Sequence, residues 1–388
     1  MNVLLLSPHF PPNYRYFAYA LRAEGARVLG VGDAPAWELG DDLRGALTDY
    51  DYVPDMYNKT DDLRRAVESL VHRHGPLHRI ESHNEHWLEH DARLREEFGV
   101  WGQKVSDLRL NRSKLGMKDA FRNAGVPVAP AEMVTSRDQA LKFAQRVGFP
   151  LILKPDVGVG AAGARKVNSI EELEKAIDPI PSNTVIEQFV KGRIVTYDGL
   201  VDRDGNVVFE TSHRYSANIM EIVQGRLVFH YYNYREIPPE LHADGKRAVR
   251  AFNLRERFFH FEFFELPDGD YYGLEVNVRP PGGFTMDMMN FSAEVDLFRA
   301  WAQLVVRGQC DIHLPERKYH VAHVGRRDGA KYRLHHDQVM NGLGVKFVHH
   351  PPMPRLWGPV MGDTVYLLGD PDLQTLREGM HKVEAVAG

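Results

Sequence analysis

The sequence predicts an α/β domain followed by a larger α+β region. Its first third reads as βαβ: Val3 to Leu6 is a short apolar run, Tyr14 to Glu24 has helical spacing closed by Gly25, and Arg27 to Val31 is apolar again. Beyond about residue 195 the spacing changes to alternating strands with hairpin turns at Asp202-Arg203-Asp204-Gly205-Asn206 and Asp268-Gly269. At 388 residues, the chain is long enough for two or three domains of ~100–200 residues, each with a core stable unaided.

In order along the chain, Thr60-Asp61-Asp62 opens a helix ending at Gly75, Leu77 to Glu81 is a strand, and Asn84 to Phe98 is helical. Gly99 to Gly102 marks a boundary, so the first domain is expected over 1–105. Residues 112–124 form a helix stopped by Gly125, a second helix starts at Ser136, and Pro150-Leu151-Ile152-Leu153-Lys154 is a buried strand. These belong to a subdomain expected over 106–195, with the remainder over 196–388. From about residue 310 the chain is rich in His, Pro and Gly, and no chemistry is legible there.

Composition excludes several function classes. Hydrophobic residues at 43% and charged residues at 26% are ordinary globular values. Forty-eight Lys+Arg against fifty-three Asp+Glu give a net charge of −5, with no basic run beyond pairs such as Arg64-Arg65 and Arg326-Arg327. Neither nucleic acid nor an anionic membrane is an expected partner. Cys310 is the only cysteine, so no internal disulfide or thiolate metal cluster forms. A cytoplasmic setting is expected, since no apolar run approaches the ~20 residues of a membrane span.

Gly158-Val159-Gly160-Ala161-Ala162-Gly163 satisfies G-x-G-x-x-G. The dinucleotide fingerprint needs a helix directly after it, and Ala164-Arg165-Lys166-Val167 reads as a strand. A Walker A loop needs Lys-Ser/Thr at that point, and no DFG triplet supports a kinase. What remains is a glycine hairpin between two strands, with Lys154 before it and backbone N–H groups free to close over phosphates, against the blander reading of a glycine-rich surface loop.

The strongest signal lies at 257–281. Phe259-His260-Phe261-Glu262-Phe263-Phe264 and Tyr271 to Val278 flank Pro267-Asp268-Gly269-Asp270. Centring a two-residue hairpin on Asp268-Gly269 sets Glu262 opposite Glu275 and His260 opposite Asn277, with Glu275, Asn277 and Arg279 on one face. Two opposed carboxylates repel, and a divalent cation with oxygen ligands compensates them. The competing reading is an acidic face neutralised by basic neighbours or water. A second candidate, His86-Trp87-Leu88-Glu89-His90 with His83 one turn earlier, matches an inverted zinc-protease motif. With 19 histidines in the chain, a partly exposed His-bearing helix explains it better. Glu187-Gln188-Phe189-Val190-Lys191-Gly192 leads a strand into a glycine hinge, an edge suited to hydrogen-bonding an adenine.

Taken in order, Lys114, Lys154-Pro155, the 158–163 loop, Glu187 to Gly192, Glu262 and Glu275-x-Asn277-x-Arg279-Pro280 resemble the ATP-grasp superfamily of carboxylate–amine ligases from about residue 105 to 290. The segment before them resembles the Rossmann-like domain that precedes an ATP-grasp module of two α+β subdomains. The resemblance implies that ATP lies between those subdomains beneath the loop of Gly158, Gly160, Ala161, Ala162 and Gly163. It implies Lys114 and Lys154 at the phosphates, and Glu187 receiving the adenine amino group with Gln188, Phe189 and Val190 beside it. It further implies Mg²⁺ or Mn²⁺ on Glu262, Glu275 and Asn277, and Arg279 steadying the transferring phosphoryl group, with Lys154 and Arg279 as the catalytic pair. Ile194 departs from the family, which often has an acid there for the ribose hydroxyls.

The activity expected from this resemblance is ATP-dependent activation of a carboxylate as an acyl phosphate, followed by attack of an amine. The partners are then small-molecule acids and amines, with a homodimer expected by analogy. A phosphotransferase and a non-catalytic ATP sensor are the alternatives. The acid is expected near Arg279, Gly282 and Gly283, though the two glycines read equally well as a turn after Pro280-Pro281. Met286, Met288 and Met289 read as core filling, with the lining of an adaptable apolar pocket as the alternative.

Overall fold

The computed structural model describes residues 1–158, 163–180, 182–216 and 229–387. Val159, Gly160, Ala161 and Ala162 of the glycine loop lie outside the described residues.

Strands β1 (Asn2–Leu6), β2 (Arg27–Gly32), β3 (Asp49–Tyr52) and β4 (Arg79–Glu81) form a parallel sheet in the order β3-β2-β1-β4. The expected βαβ is present, with helix Arg15–Ala23 between β1 and β2. Strand β3 escapes sequence reading because Asp49-Tyr50-Asp51-Tyr52 is an edge strand that buries no apolar run. Helix Arg15–Ala23 turns Phe17 and Leu21 onto a core shared with Phe298, Trp301 and Leu304 of helix Leu297–Arg307. That core also takes in Leu200 and Phe258 of the central sheet, so the first sheet is anchored to the rest of the chain by packing.

Strands β5 (Ala131–Met133), β6 (Leu151–Pro155), β7 (Arg165–Val167) and β8 (Thr184–Gln188) form an antiparallel sheet in the order β5-β8-β6-β7. Leu151 pairs with Val167, so the glycine loop joins two paired strands as expected, rather than a strand and a helix. Helix Arg137–Val147 is capped by Ser136, whose hydroxyl accepts from Gln139 N at 3.1 Å.

Strands β9 (Arg193–Val201), β10 (Val207–Thr211), β11 (His213–Tyr215), β12 (His230–Asn233), β13 (Arg257–Glu265), β14 (Tyr271–Asn277), β15 (His320–Arg326), β16 (Phe347–His349) and β17 (Thr364–Asp370) make one antiparallel sheet. Its order is β14-β13-β9-β11-β12-β15-β17-β16, with β10 against β9. The segment after residue 310 therefore extends the same sheet that carries the acidic hairpin, a role its His-, Pro- and Gly-rich composition hides. One face of β9 and β13 presents Val195, Tyr197, Phe259, Phe261 and Phe263 to helices Lys114–Asn123 and Pro239–Ala251. The alternate residues project to the other face.

Candidate functional site

The expected register holds at the acids: Glu262 pairs with Glu275 and His260 with Asn277. The turn does not have the expected length. Leu266 N donates to Asp270 O at 2.8 Å and Gly269 has φ +94, so the loop is the three residues Pro267-Asp268-Gly269. That change alone would move the acids out of register. Leu274 compensates as the extra residue of a β-bulge, because Phe263 pairs with Gly273 while Glu262 pairs with Glu275. Across three strands, Asn277, His260 and Asp198 form one row and Glu275, Glu262 and Thr196 the next.

Burial and the neighbouring Glu262 push Glu275 up to about 7, against the pull of Lys114. Among the described residues no Lys, Arg or His lies within ion-pair distance of Glu275, whereas Glu262 Oε1 is 3.3 Å from His260 Nε2. Two opposed carboxylates, one without a cation of its own, with the Asn277 amide oxygen beside them, are a donor set that fits a hard divalent cation. Arg279 Nη2 lies 3.3 Å from Asn277 Oδ1 and 3.0 Å from Glu85 Oε2, which brings the end of the first sheet to the acids. Glu85 follows β4, at the carboxyl edge where parallel sheets place ligands. Burial works against charge on His260, but Asp198 and Glu262 outweigh it and raise its pKa to about 9.

The lysines occupy the adjoining side. Lys114 begins its helix at Ser113, is tied to β6 by its backbone N–H to Asp156 O (2.9 Å), and places Nζ 3.2 Å from Gly158 O. Burial lowers its pKa. Lys154 pairs with Glu187. A third lysine, missed in the sequence reading, is Lys118, whose Nζ lies 2.6 Å from the other Glu187 oxygen. Its signal was available as the i+4 position from Lys114 on one helix face.

The expectation for Glu187 needs correcting. Its carboxylate is buried with both oxygens turned to ammonium groups, so the side chain is engaged before any adenine arrives. Burial favours its neutral form, yet Lys118 and Lys154 hold it below the usual carboxylate range. The main chain beside it makes its own internal hydrogen bonds. There Gln188 N donates to Pro130 O (3.0 Å) and Phe189 N to Pro150 O (3.1 Å), while Lys166 Nζ sits 3.8 Å over the Phe189 ring. Val190 and Ile194 are buried apolar residues. Of the loop residues, Gly163 lies against Pro155.

Gly282 and Gly283 separate. Gly282 is exposed, with open space where a Cβ would stand. Gly283 has φ +63 and is buried against Met361, which accounts for its glycine as a turn and packing requirement. Met286, Met288 and Met289 are fully buried core. The histidine motif resolves the same way. His86 stacks on Tyr57, His90 Nε2 lies 2.9 Å from Tyr57 O, His83 stacks on Phe17, and Glu89 pairs with Arg93 and Arg112. Among the described residues no group of three His, Cys, Asp or Glu is placed to hold a metal, and no helix is long and apolar enough to cross a membrane.

Residues 113–228 match the family model of the carbamoyl-phosphate synthase L chain, ATP binding domain. The chain is 26% identical over 194 residues to D-alanine--D-alanine ligase of Geobacter sulfurreducens, covering 46% of this chain and 58% of that protein. It is 24% identical over 240 residues to the L-arginine-specific L-amino acid ligase of Bacillus subtilis, covering 58% and 57%. The chain thus spans about half the length of the curated relatives it matches. In fold, the L-amino acid ligase from Bacillus licheniformis superposes with a TM-score of 0.73 at 14% identity, covering 100% of this chain and 98% of that one. The biotin carboxylase domain of Hydrogenobacter thermophilus 2-oxoglutarate carboxylase, solved with MgADP and bicarbonate, gives 0.73 at 16%, covering 100% and 90%. The lysines and the strands that flank the glycine loop lie within the residues matched by that ATP-binding domain model, and the likeness to the solved ligase and carboxylase structures is one of fold.

Proposed function

We propose that this chain is an ATP-dependent carboxylate–amine ligase. The observation that carries the reading is the opposition of Glu262 and Glu275 beside Asn277 and Arg279, with Lys114 near enough to act on Glu275. A substrate carboxylate oxygen attacks the γ-phosphorus of ATP, the bond to the β,γ-bridging oxygen breaks, and ADP leaves. An amine nitrogen then attacks the acyl carbon, phosphate departs with the carbonyl-to-oxygen electron pair, and the nitrogen gives up its proton. Mg²⁺ or Mn²⁺ on Glu262, Glu275 and Asn277 would neutralise charge on the phosphate oxygens. The chain's own part is positioning and electrostatics: Lys114 and Lys154 face the phosphates, and Arg279 steadies the transferring group. The Gln188–Val190 segment holds the base through main-chain groups other than the Gln188 and Phe189 N–H, which are bound to Pro130 and Pro150. The first hundred residues, reaching the site through Glu85, contribute to the choice of acid and amine.

The test is to incubate the protein with Mg²⁺-ATP, hydroxylamine and pooled amino and carboxylic acids, scoring ADP and hydroxamate together. Acid-dependent ADP with matching hydroxamate is expected. ADP with a stable phosphorylated product and no hydroxamate would replace the ligase with a phosphotransferase. Nucleotide binding without ADP from any pool would replace it with a sensor.

A further inference from the structure

We infer that Asp198 and His260 form a positioning pair that holds the Glu262 carboxylate in place for a divalent cation. The inference rests on the reading of Glu262 and Glu275 as ligands of that cation.

Asp198 lies on β9 with no exposed surface, and its two oxygens face two imidazoles: Oδ1 is 2.6 Å from His260 Nδ1 and Oδ2 is 2.7 Å from His213 Nδ1. The Thr196 hydroxyl also donates to Oδ2. An imidazole whose Nδ1–H is bound to a carboxylate has its ring plane and orientation set by that bond. In His260 the consequence is that Nε2 lies 3.3 Å from Glu262 Oε1, on the side facing the opposed acids. The sheet register builds this relay without loops: Asp198 is the direct partner of His260, and Glu262 of Glu275.

A fold has no need of this arrangement for stability. The apolar core of these strands is built from Tyr197, Phe259, Phe261 and Phe263 on the other face and from Leu200 and Phe258 farther along the same face. Buried ionised groups recover their desolvation penalty only when well paired, and apolar residues of similar volume often serve a fold better. What Asp198 and His260 provide that apolar residues could not is an imidazole nitrogen held 3.3 Å from one oxygen of Glu262. Without it, repulsion between the opposed carboxylates would swing Glu262 away from Glu275 and spoil their convergence. Partners of this kind around metal-binding carboxylates are worth 10–100-fold in metal affinity.

The test uses Mn²⁺ as probe, with ADP present, and counts free Mn²⁺ by electron paramagnetic resonance in the full chain. The wild-type protein should show a saturable site that Glu275→Gln abolishes. His260→Asn keeps an amide at the Nδ1 position facing Asp198 but cannot reach Glu262, and should weaken Mn²⁺ 10–100-fold. His260→Gln, whose amide reaches the Nε2 position, should recover part of that loss. Asp198→Asn, isosteric and uncharged, should shift affinity in the same direction as His260→Asn and carries the test if the histidine variants fail to fold. ADP affinity measured in EDTA should stay within twofold in the His260 and Asp198 variants. Wild-type Mn²⁺ affinity in folded His260→Asn and Asp198→Asn proteins would overturn the positioning role while leaving the cation site intact. Absence of a wild-type site, or its survival in Glu275→Gln, would instead overturn the cation site itself and the pair with it.

Discussion

Glu275→Gln should make the metal-free protein more stable while abolishing ADP formation. Burial and Glu262 displace the Glu275 carboxyl from the ordinary 4.5 to about 7. That displacement corresponds to about 3 kcal/mol carried by the ionised form at pH 8, on the order of 1.4 kcal/mol for each tenfold change in proton affinity. Because the folded carboxyl binds its proton more tightly than the unfolded one, wild-type stability falls as pH rises from about 4.5 to about 7 and is level above. Glutamine keeps the shape and removes the charge, so the variant's advantage is absent below about pH 4.5 and complete above about pH 7. For a chain of this length it corresponds to a rise of roughly 3–5 °C in Tm. The assay is thermal unfolding in EDTA at pH 4.5 and pH 8. Adding Mg²⁺ and ADP at about 1,000 times Kd should reverse the order, since that binding stabilises the wild type by about 4.1 kcal/mol and the variant lacks the metal site. A variant no more stable than wild type at pH 8 in EDTA would show that the opposed acids are not under mutual strain.

Three further outcomes follow from the geometry. Glu187→Ala leaves Lys118 and Lys154 buried without their carboxylate and should lower stability by about 3–5 kcal/mol in urea unfolding. A double-mutant cycle of Arg279→Ala and Glu85→Gln, read in ADP formation, should be non-additive by about 0.5–3 kcal/mol because the two side chains share one contact; strict additivity would remove Glu85 from the site. Gly283→Ala must place a Cβ against Met361 at φ +63 and should cost about 1–3 kcal/mol, whereas Gly282→Ala faces open space and should leave Tm unchanged.

The fold was legible where periodicity is strong. The βαβ start, the helix beginning at Ser136 and the hairpins all follow from spacing and turn residues. The pairing of Glu262 with Glu275 was reached for an incomplete reason: the assumed turn is one residue too short, and the bulge at Leu274 restores the register. Nothing local in Leu274 announces a bulge, and the close packing of the neighbouring Gly273 against Phe121 involves a helix distant in sequence. Strands β15 and β17 were missed because composition was read over the whole segment, while His320–Arg326 and Thr364–Asp370 are buried almost throughout and show no period-2 alternation. The engagement of Glu187 with two lysines, and the buried Asp198 between two histidines, depend on contacts between strands and helices distant in sequence. Residue types alone carry no trace of them.

The contact between Glu85 and Arg279 bears on how freely this chain could exchange parts with its relatives. It joins residues that follow strands of two different sheets, and it is not alone: Arg257 Nη2 reaches Glu81 at 2.6 Å, Arg79 pairs with Glu256, and Phe17 packs on Trp301 with ring centroids 5.3 Å apart. Three ion pairs and an aromatic core thus form a lock whose halves must match. A chimera that imports a foreign first hundred residues to change the substrate would strand Arg257 and Arg279 without their acids. Retargeting is better sought by varying the loops after β1 and β4 while Glu81 and Glu85 are kept in place.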